Sequence, residues 1–175
     1  MFQNRKAVFV DRDDTLCPDV PYCNNPKLIQ VYPDVPQSIK KLNKAGYLVI
    51  IITNQSGIGR GYFDFYTLYQ VNMELMLQIK QGGGRIDDIF FCPHTPEDKC
   101  NCRKPSNQMG IHAIEKYNLD PKCCLMIGDH EKDMLFAKSL GIRCIQVTKN
   151  YSFSDAVEKI LAIDKMGDND EYSIR

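Results

Sequence analysis

Five short apolar runs, residues 7–10, 48–52, 86–91, 123–127 and 142–147, recur along the chain with helix-like patterns between several of them. Alternating strand and helix point to an α/β fold built on a parallel sheet. The runs Val8-Phe9-Val10 and Leu48-Val49-Ile50-Ile51-Ile52 are continuous in apolar character, as in strands covered on both faces. The segments between carry helix punctuation. Val35, Ile39 and Leu42 share one face of a helix over about 36–45, stopped by Gly46. Asp64 can cap a second helix that runs to Gln81 and ends at three glycines, and Ser106 can cap a third to about Asn118. A fourth spans 131–140 before Gly141, and Ser154 can cap a last one through Leu161.

At 175 residues, the chain reads as one domain, 1–175, with its core over about 6–150 and a C-terminal helix and tail over 154–175, the polar end of which is expected to be loose. Lys plus Arg number 22 and Asp plus Glu 22, so the broad electrostatic footprint of a nucleic-acid binder is not expected. No apolar run is long enough to span a bilayer, and the short run at 7–10, followed at once by acids, is not a secretory leader. A cytoplasmic, monomeric protein without membrane contact is expected. Residues 17–33 hold four prolines and two asparagines, which predicts an extended excursion or small hairpin above the first strand, placed like a lid.

Eight cysteines do not form a disulfide-framework pattern here. Cys92-Pro93-His94 is followed after five residues by Cys100-Asn101-Cys102, and these four soft ligands on a short loop, 92–102, suit tetrahedral zinc. The residues between, 95–99, contain nothing apolar, so a metal would order them. With four protein ligands the site has no open position, which makes it structural. The loop runs directly into Arg103-Lys104-Pro105, so the metal would also fix the approach of Lys104. Cys17, Cys23, Cys123, Cys124 and Cys144 read as reduced core thiols, and His112 as an ordinary helix residue.

In an open parallel sheet, ligands bind just beyond the carboxyl ends of the strands. The first strand ends in Asp11-Arg12-Asp13-Asp14-Thr15, the second in Thr53-Asn54-Gln55 and the fourth in Gly128-Asp129, with Asp133 one helical turn on. Each has a plain structural reading: acids favour turns, Thr is a strand residue, Lys104 precedes a helix, and Asp133 suits the positive end of a helix dipole. Together they supply what transfer of a phosphoryl group from an ester needs. That is a nucleophile, a proton donor for the leaving oxygen, a hard divalent cation and positive groups around the phosphate.

Asp-x-Asp-x-Thr, a strand-terminal Thr, a Lys and Gly-Asp-x-x-x-Asp in that order resemble the haloacid dehalogenase (HAD) superfamily of phosphatases over roughly residues 7–147. The resemblance implies a HAD-like Rossmann-type core, a central parallel sheet flanked by helices, with a minimal cap because no long helical insertion separates the first two motifs. It implies that Asp11 attacks phosphorus to form an aspartyl phosphate, that Asp13 acts as general acid and base, and that Thr53 and Lys104 position and neutralise the transferring group. Mg²⁺ would be held by Asp11, the main-chain oxygen of Asp13, and Asp129, with Asp133 supporting those ligands from behind.

Within the superfamily, the zinc loop paired with Thr-Asn-Gln-Ser-Gly-Ile-Gly-Arg-Gly-Tyr-Phe is similar to the heptose 1,7-bisphosphate phosphatases of carbohydrate metabolism. The likeness implies removal of the 7-phosphate of D-glycero-D-manno-heptose 1,7-bisphosphate, a phosphosugar, on the route to activated heptose for lipopolysaccharide. Asp19, Tyr22, Asn54, Gln55, Ser56, Arg60, Arg103 and His130 would then contact substrate. Histidinol phosphatases share the zinc loop but carry an acid where this chain has Ser56 and lack an Arg60 equivalent. Polynucleotide 3′-phosphatases share the Thr-Asn-Gln…Arg-Gly stretch without that loop, and a non-catalytic phosphosugar-binding module could keep the same scaffold. Two positions depart from the heptose pattern: Asp14 replaces a Gly, and His130 a Lys.

Overall fold

The structure is a computed structural model describing residues 5–166. Five parallel strands form one sheet: β1 (Arg5–Val10), β2 (Leu48–Asn54), β3 (Asp88–Cys92), β4 (Leu119–Gly128) and β5 (Arg143–Gln146), in the order β3-β2-β1-β4-β5. The connections run outward in both directions from β1, so the strand order reverses between β1 and β4. Their carboxyl ends therefore open the crevice in which α/β sheets bind ligands. Register pairs Val8 with Val49 on one side and with Leu125 on the other.

Helices α1 (Val35–Lys44), α2 (Phe65–Gln81) and α5 (Phe153–Met166) cover one face, and α3 (Gln108–Tyr117) and α4 (Glu131–Leu140) the other. Period-two alternation divides the strands between two cores. Val8, Val10, Val49, Ile51, Leu125 and Ile127 pack under the first group, whereas Ala7, Phe9, Ile50, Ile52, Cys124 and Met126 pack under the second. The Phe9 and Phe136 rings meet edge to face at 6.4 Å. A Cβ on Gly110 would stand 2.3 Å from a Leu140 methyl, so this glycine is what lets α3 and α4 approach so closely.

The expected helices form, with displaced starts. Asp64 caps α2 by accepting from the Thr67 N–H at 2.8 Å. Asn107, without a side-chain capping bond, stands at the head of α3 where Ser106 was expected. Ser152 rather than Ser154 caps α5. Its Oγ accepts from the Asp155 N–H at 3.2 Å and its own N–H donates to Asp155 Oδ2 at 2.8 Å, while the Ser154 N–H is taken by Asp34. β3 starts two residues late because the Asp87 carboxylate takes over the edge position, accepting from the Val49 N–H at 2.8 Å. The segment 17–33 forms no hairpin; it holds a single 3-10 turn, Pro26–Leu28. Buried Cys23 and Ile29 tie it down, and Gln78 of α2 bonds the Ile29 carbonyl and the Val31 N–H. The tail beyond 166 lies outside the described residues. No described helix is long and apolar enough to cross a membrane.

Candidate active site

The carboxyl ends of β1, β2 and β4, with segment 17–33, enclose an open cavity of about 350 Å³. Asp11 follows β1 and is almost fully buried, its N–H donating to the Ile127 carbonyl at 3.0 Å. Lys104 lies beneath it, 2 % exposed. Its ammonium reaches Asp11 at 2.7 Å, Asp133 at 2.6 Å and the Ile52 carbonyl at 2.6 Å. Burial works against the charge on Lys104, but the two carboxylates outweigh it and hold the amine above its usual pKa. Its backbone is pinned by Asn54, whose amide accepts from the Lys104 N–H at 3.0 Å and donates to the Lys104 carbonyl at 3.1 Å.

Asp11, Asp129 and Asp133 each offer an oxygen within 4.8 Å of the others. Burial raises the pKa of both Asp129 and Asp133, and the charge of Asp11 raises them further. Three crowded carboxylates with one ammonium among them leave net negative charge in a partly buried pocket, the donor set that a hard divalent cation fits. Gly128 makes the crowding possible, since a Cβ there would sit 2.6 Å from the Asp133 carboxylate. Asp133 also closes the first turn of α4, accepting from the His130 N–H at 3.2 Å.

The Asp13 side chain is turned away from this trio. Arg12 grips it with two bonds of 2.9 and 3.1 Å, and Gln55 adds a third at 2.9 Å. Gln55 also donates to Thr53 Oγ1 at 3.0 Å, so Thr53 and Asp13 share one positioning amide. Asp14 takes a left-handed conformation, φ +55°, which Asp tolerates better than most residues. Its carboxylate accepts from the Asp19 N–H at 3.0 Å and so ties the catalytic turn to segment 17–33.

Of the residues expected at the site, Asp11, Asp13, Asp19, Tyr22, Thr53, Asn54, Gln55, Ser56, Asp129 and His130 line the cavity. Lys104 and Asp133 lie beneath it. Arg60 and Arg103 stand off its wall. Arg60 sits 5.9 Å over the Tyr22 ring and 3.9 Å from Glu97, while Arg103 donates to the His94 carbonyl at 3.2 Å. Sequence reasoning missed two cations on the wall, Arg12 and Lys132. Arg12 is a buried guanidinium that also donates to Asn72 of α2 at 3.2 Å. Lys132 follows His130 by two residues and brings positive charge to the rim where His130 replaces the expected Lys. His130 itself accepts from the Lys132 N–H through Nδ1 at 3.2 Å, as the cap of α4.

Cys92, His94, Cys100 and Cys102 gather at the end of β3, with Sγ and Nδ1 atoms 3.1–3.6 Å apart. Tetrahedral zinc bonds of ~2.1 Å to nitrogen and ~2.3 Å to sulfur would set ligand atoms about 3.6–3.8 Å apart, so a small expansion accommodates the ion. Burial pushes the Cys100 thiol up, but hydrogen bonds from the Arg103 N–H and the Cys102 side chain outweigh it and bring it down to about 7. The residues between the ligands carry local order of their own. Thr95 and Asp98 form a reciprocal cap around the turn Pro96–Asp98, so a metal is not the only thing shaping this loop.

A buried carboxylate beside an ammonium, with an acidic trio that could hold a hard cation at the strand-order reversal of a parallel sheet, fits a hydrolase that works on anionic substrates. The haloacid dehalogenase-like hydrolase family model matches residues 22–141, and the chain belongs to that family. A Thermoplasma volcanium protein named "Probable D-glycero-D-manno-heptose-1,7-bisphosphate 7-phosphatase" is 40 % identical over 138 residues, 78 % of this chain and 94 % of its own. The D-glycero-beta-D-manno-heptose-1,7-bisphosphate 7-phosphatase of Haemophilus ducreyi is 38 % identical over 146 residues, 79 % of this chain and 80 % of its own. The crystal structure of D,D-heptose 1,7-bisphosphate phosphatase from B. bronchiseptica, complexed with magnesium and phosphate, superposes with a TM-score of 0.82 at 28 % identity, covering 90 % of this chain and 99 % of that one.

Proposed function

We propose that this protein is a Mg²⁺-dependent phosphatase that removes the 7-phosphate of D-glycero-D-manno-heptose 1,7-bisphosphate through a phosphoenzyme on Asp11. The observation that carries the reading is Lys104 bridging Asp11 and Asp133 directly under a cavity lined by Asp13, Thr53 and Asp129.

Lys104, 2.7 Å from Asp11, aims its carboxylate, so that an oxygen can attack phosphorus as the ester bond breaks. Asp13 in its protonated form gives its proton to the departing sugar oxygen, and the carboxylate left behind takes a proton from the water that hydrolyses the aspartyl phosphate. Arg12 and Gln55 fix its carboxyl group at the cavity wall. The Thr53 hydroxyl, buried beside Gln55, donates to a phosphoryl oxygen. Asp11, Asp129 and the Asp13 main-chain oxygen would hold Mg²⁺, which supplies neutralisation of the phosphoryl charge. Asp19, Tyr22, Asn54, Ser56 and His130 line the sugar's path. Lys132 supplies a cation on the rim, and Arg60 and Arg103, outside the cavity wall, would offer bidentate forks to a second phosphate. Reduced thiols as zinc ligands suit the cytoplasm.

Phosphate release with Mg²⁺ tests the reading, comparing both anomers of the heptose bisphosphate with histidinol phosphate and a 3′-phosphorylated oligonucleotide. The bisphosphate is expected to be preferred by at least tenfold in kcat/KM. Preference for another ester would keep the chemistry and overturn the substrate, and no release from any of them, with metals bound, would favour a phosphosugar-binding module.

We further propose that the cluster of Cys92, His94, Cys100 and Cys102 holds structural zinc. Because Arg103 and Lys104 follow Cys102 directly, stripping zinc with Mg²⁺ kept saturating is expected to lower turnover several-fold and to lower the unfolding temperature. Unchanged turnover in zinc-free protein, verified by metal analysis, would uncouple the loop from Lys104.

A further inference from the structure

α2 has three faces rather than two. At about 100° per residue, Leu68, Val71, Leu75 and Ile79 fall together on the side packed against the sheet, while Thr67, Gln70, Glu74 and Gln78 fall on a polar side. The remaining sector holds Phe65, Tyr66, Tyr69, Met73 and Leu77, which are 44–66 % exposed, and Tyr62 just before the helix continues it at 56 %. Phe65, Tyr69, Met73 and Leu77 recur every four residues, the ridge that interdigitates in the commonest helix–helix packing. Glu74 and Lys80 are the only charges in the 17 residues of the helix.

We propose that this face is a homodimer interface, with α2 packing antiparallel against α2 of a second copy about a two-fold axis near position 71. The side chains are self-complementary in that register, as an isologous contact requires. Phe65 faces Leu77 of the partner subunit, and Tyr69 faces Met73 of the partner subunit. Lys80, the one cation on this side, comes to Tyr62 of the partner subunit, where its stem covers the ring and its ammonium lies over the aromatic face.

The area is sufficient for a stable pair. Six aromatic or aliphatic side chains, roughly half exposed, leave about 600–700 Å² uncovered per subunit, so full cover of both patches would hide up to about 1,300 Å² in total, within the ~1,200–2,000 Å² of stable interfaces. Such a patch exceeds the ~300–600 Å² usual as the largest on a monomer. Its Tyr and Phe content matches the core of an interface rather than a scatter of surface residues. The patch also continues to the active-site rim, because the Tyr62 ring meets the Tyr22 ring edge to face at 4.8 Å. The second copy would therefore shield the aromatic edge of the cavity mouth.

Sedimentation equilibrium of the full chain from 1 to 200 µM tests this, together with a Tyr69→Lys/Met73→Lys variant, which sets like charges against each other across the axis. The wild-type mass is expected to rise from 20.1 kDa toward twice that value. The double variant should stay at 20.1 kDa throughout, with an unchanged circular dichroism spectrum and an unfolding temperature that, unlike that of the wild type, does not rise with protein concentration. Leu135→Lys, at an equally exposed apolar site on α4, should dimerise like the wild type. A wild-type protein that stays monomeric at 200 µM, or a double variant that dimerises as tightly as the wild type, would overturn the proposal.

Discussion

Asp11→Asn is expected to lower phosphate release at least about a thousand-fold while leaving the unfolding temperature unchanged or raised. The loss of activity follows from chemistry. A neutral amide is a poor nucleophile, and residues that act as a unit, here Asp11 with Lys104, lose almost the whole rate when one is removed. The stability side follows from the crowding of charge. Asp11 pushes the pKa of both Asp129 and Asp133 upward, so its charge opposes theirs, and replacing it relieves that repulsion. The ion pair lost with Lys104 is compensated because Asp133 remains 2.6 Å from the same ammonium. Phosphate release and thermal unfolding on the same preparation check both halves. Turnover retained within tenfold would remove Asp11 as nucleophile. A large fall in unfolding temperature would mean that Asp11 is structural first.

Where a residue's role is set by its neighbours in the chain, the sequence shows it. Short apolar runs located all five strands, and the strand ends then located Asp11, Thr53 and Asp129, because a parallel sheet puts its binding crevice there. The gathering of Cys92, His94, Cys100 and Cys102 was legible for the same reason, four soft side chains within eleven residues. Arg12 was not legible. A cation between two acids reads as a solvated charge, and only the fold shows it buried against Asn72, sixty residues away in the chain. Lys132 belongs to no motif, and only the first turn of α4 brings it to the rim beside His130. Ser152 and Ser154 are equally good caps by type, and Asp34, brought in from the start of α1, decides between them by occupying the Ser154 N–H. Arg60 and Arg103 carried the opposite error of emphasis, since their motifs are clear but their side chains are engaged with Tyr22, Glu97 and His94 on the outer rim.

Lys104→Met is expected to destabilise the protein by about 3–5 kcal/mol, the usual result of removing one partner from a buried ion pair. For a chain of this length that is a fall of roughly 6–20 °C in unfolding temperature. Methionine fills the channel, so a cavity contributes little and the loss is electrostatic. Asp11 and Asp133 then face each other without a counter-charge, and the Ile52 carbonyl loses its donor. The pH dependence distinguishes this cause from simple misfolding. In the wild type the Lys104 pKa is raised, so its contribution is fully present at every pH below its unfolded value and fades only in strong alkali. In the variant the burden falls on Asp133, whose folded pKa already lies above its unfolded value and rises further without the ammonium. An acid shifted in that direction destabilises the fold while ionised and recovers as pH falls through its folded pKa. The gap between wild type and variant should therefore narrow on going from pH 8 to pH 5 in Mg²⁺-free buffer, and saturating Mg²⁺ at pH 8 should narrow it as well, since either a proton or a cation neutralises the trio. Urea unfolding at the two pH values, with and without Mg²⁺, measures both effects. A gap independent of pH and Mg²⁺ would place the role of Lys104 in packing rather than in charge.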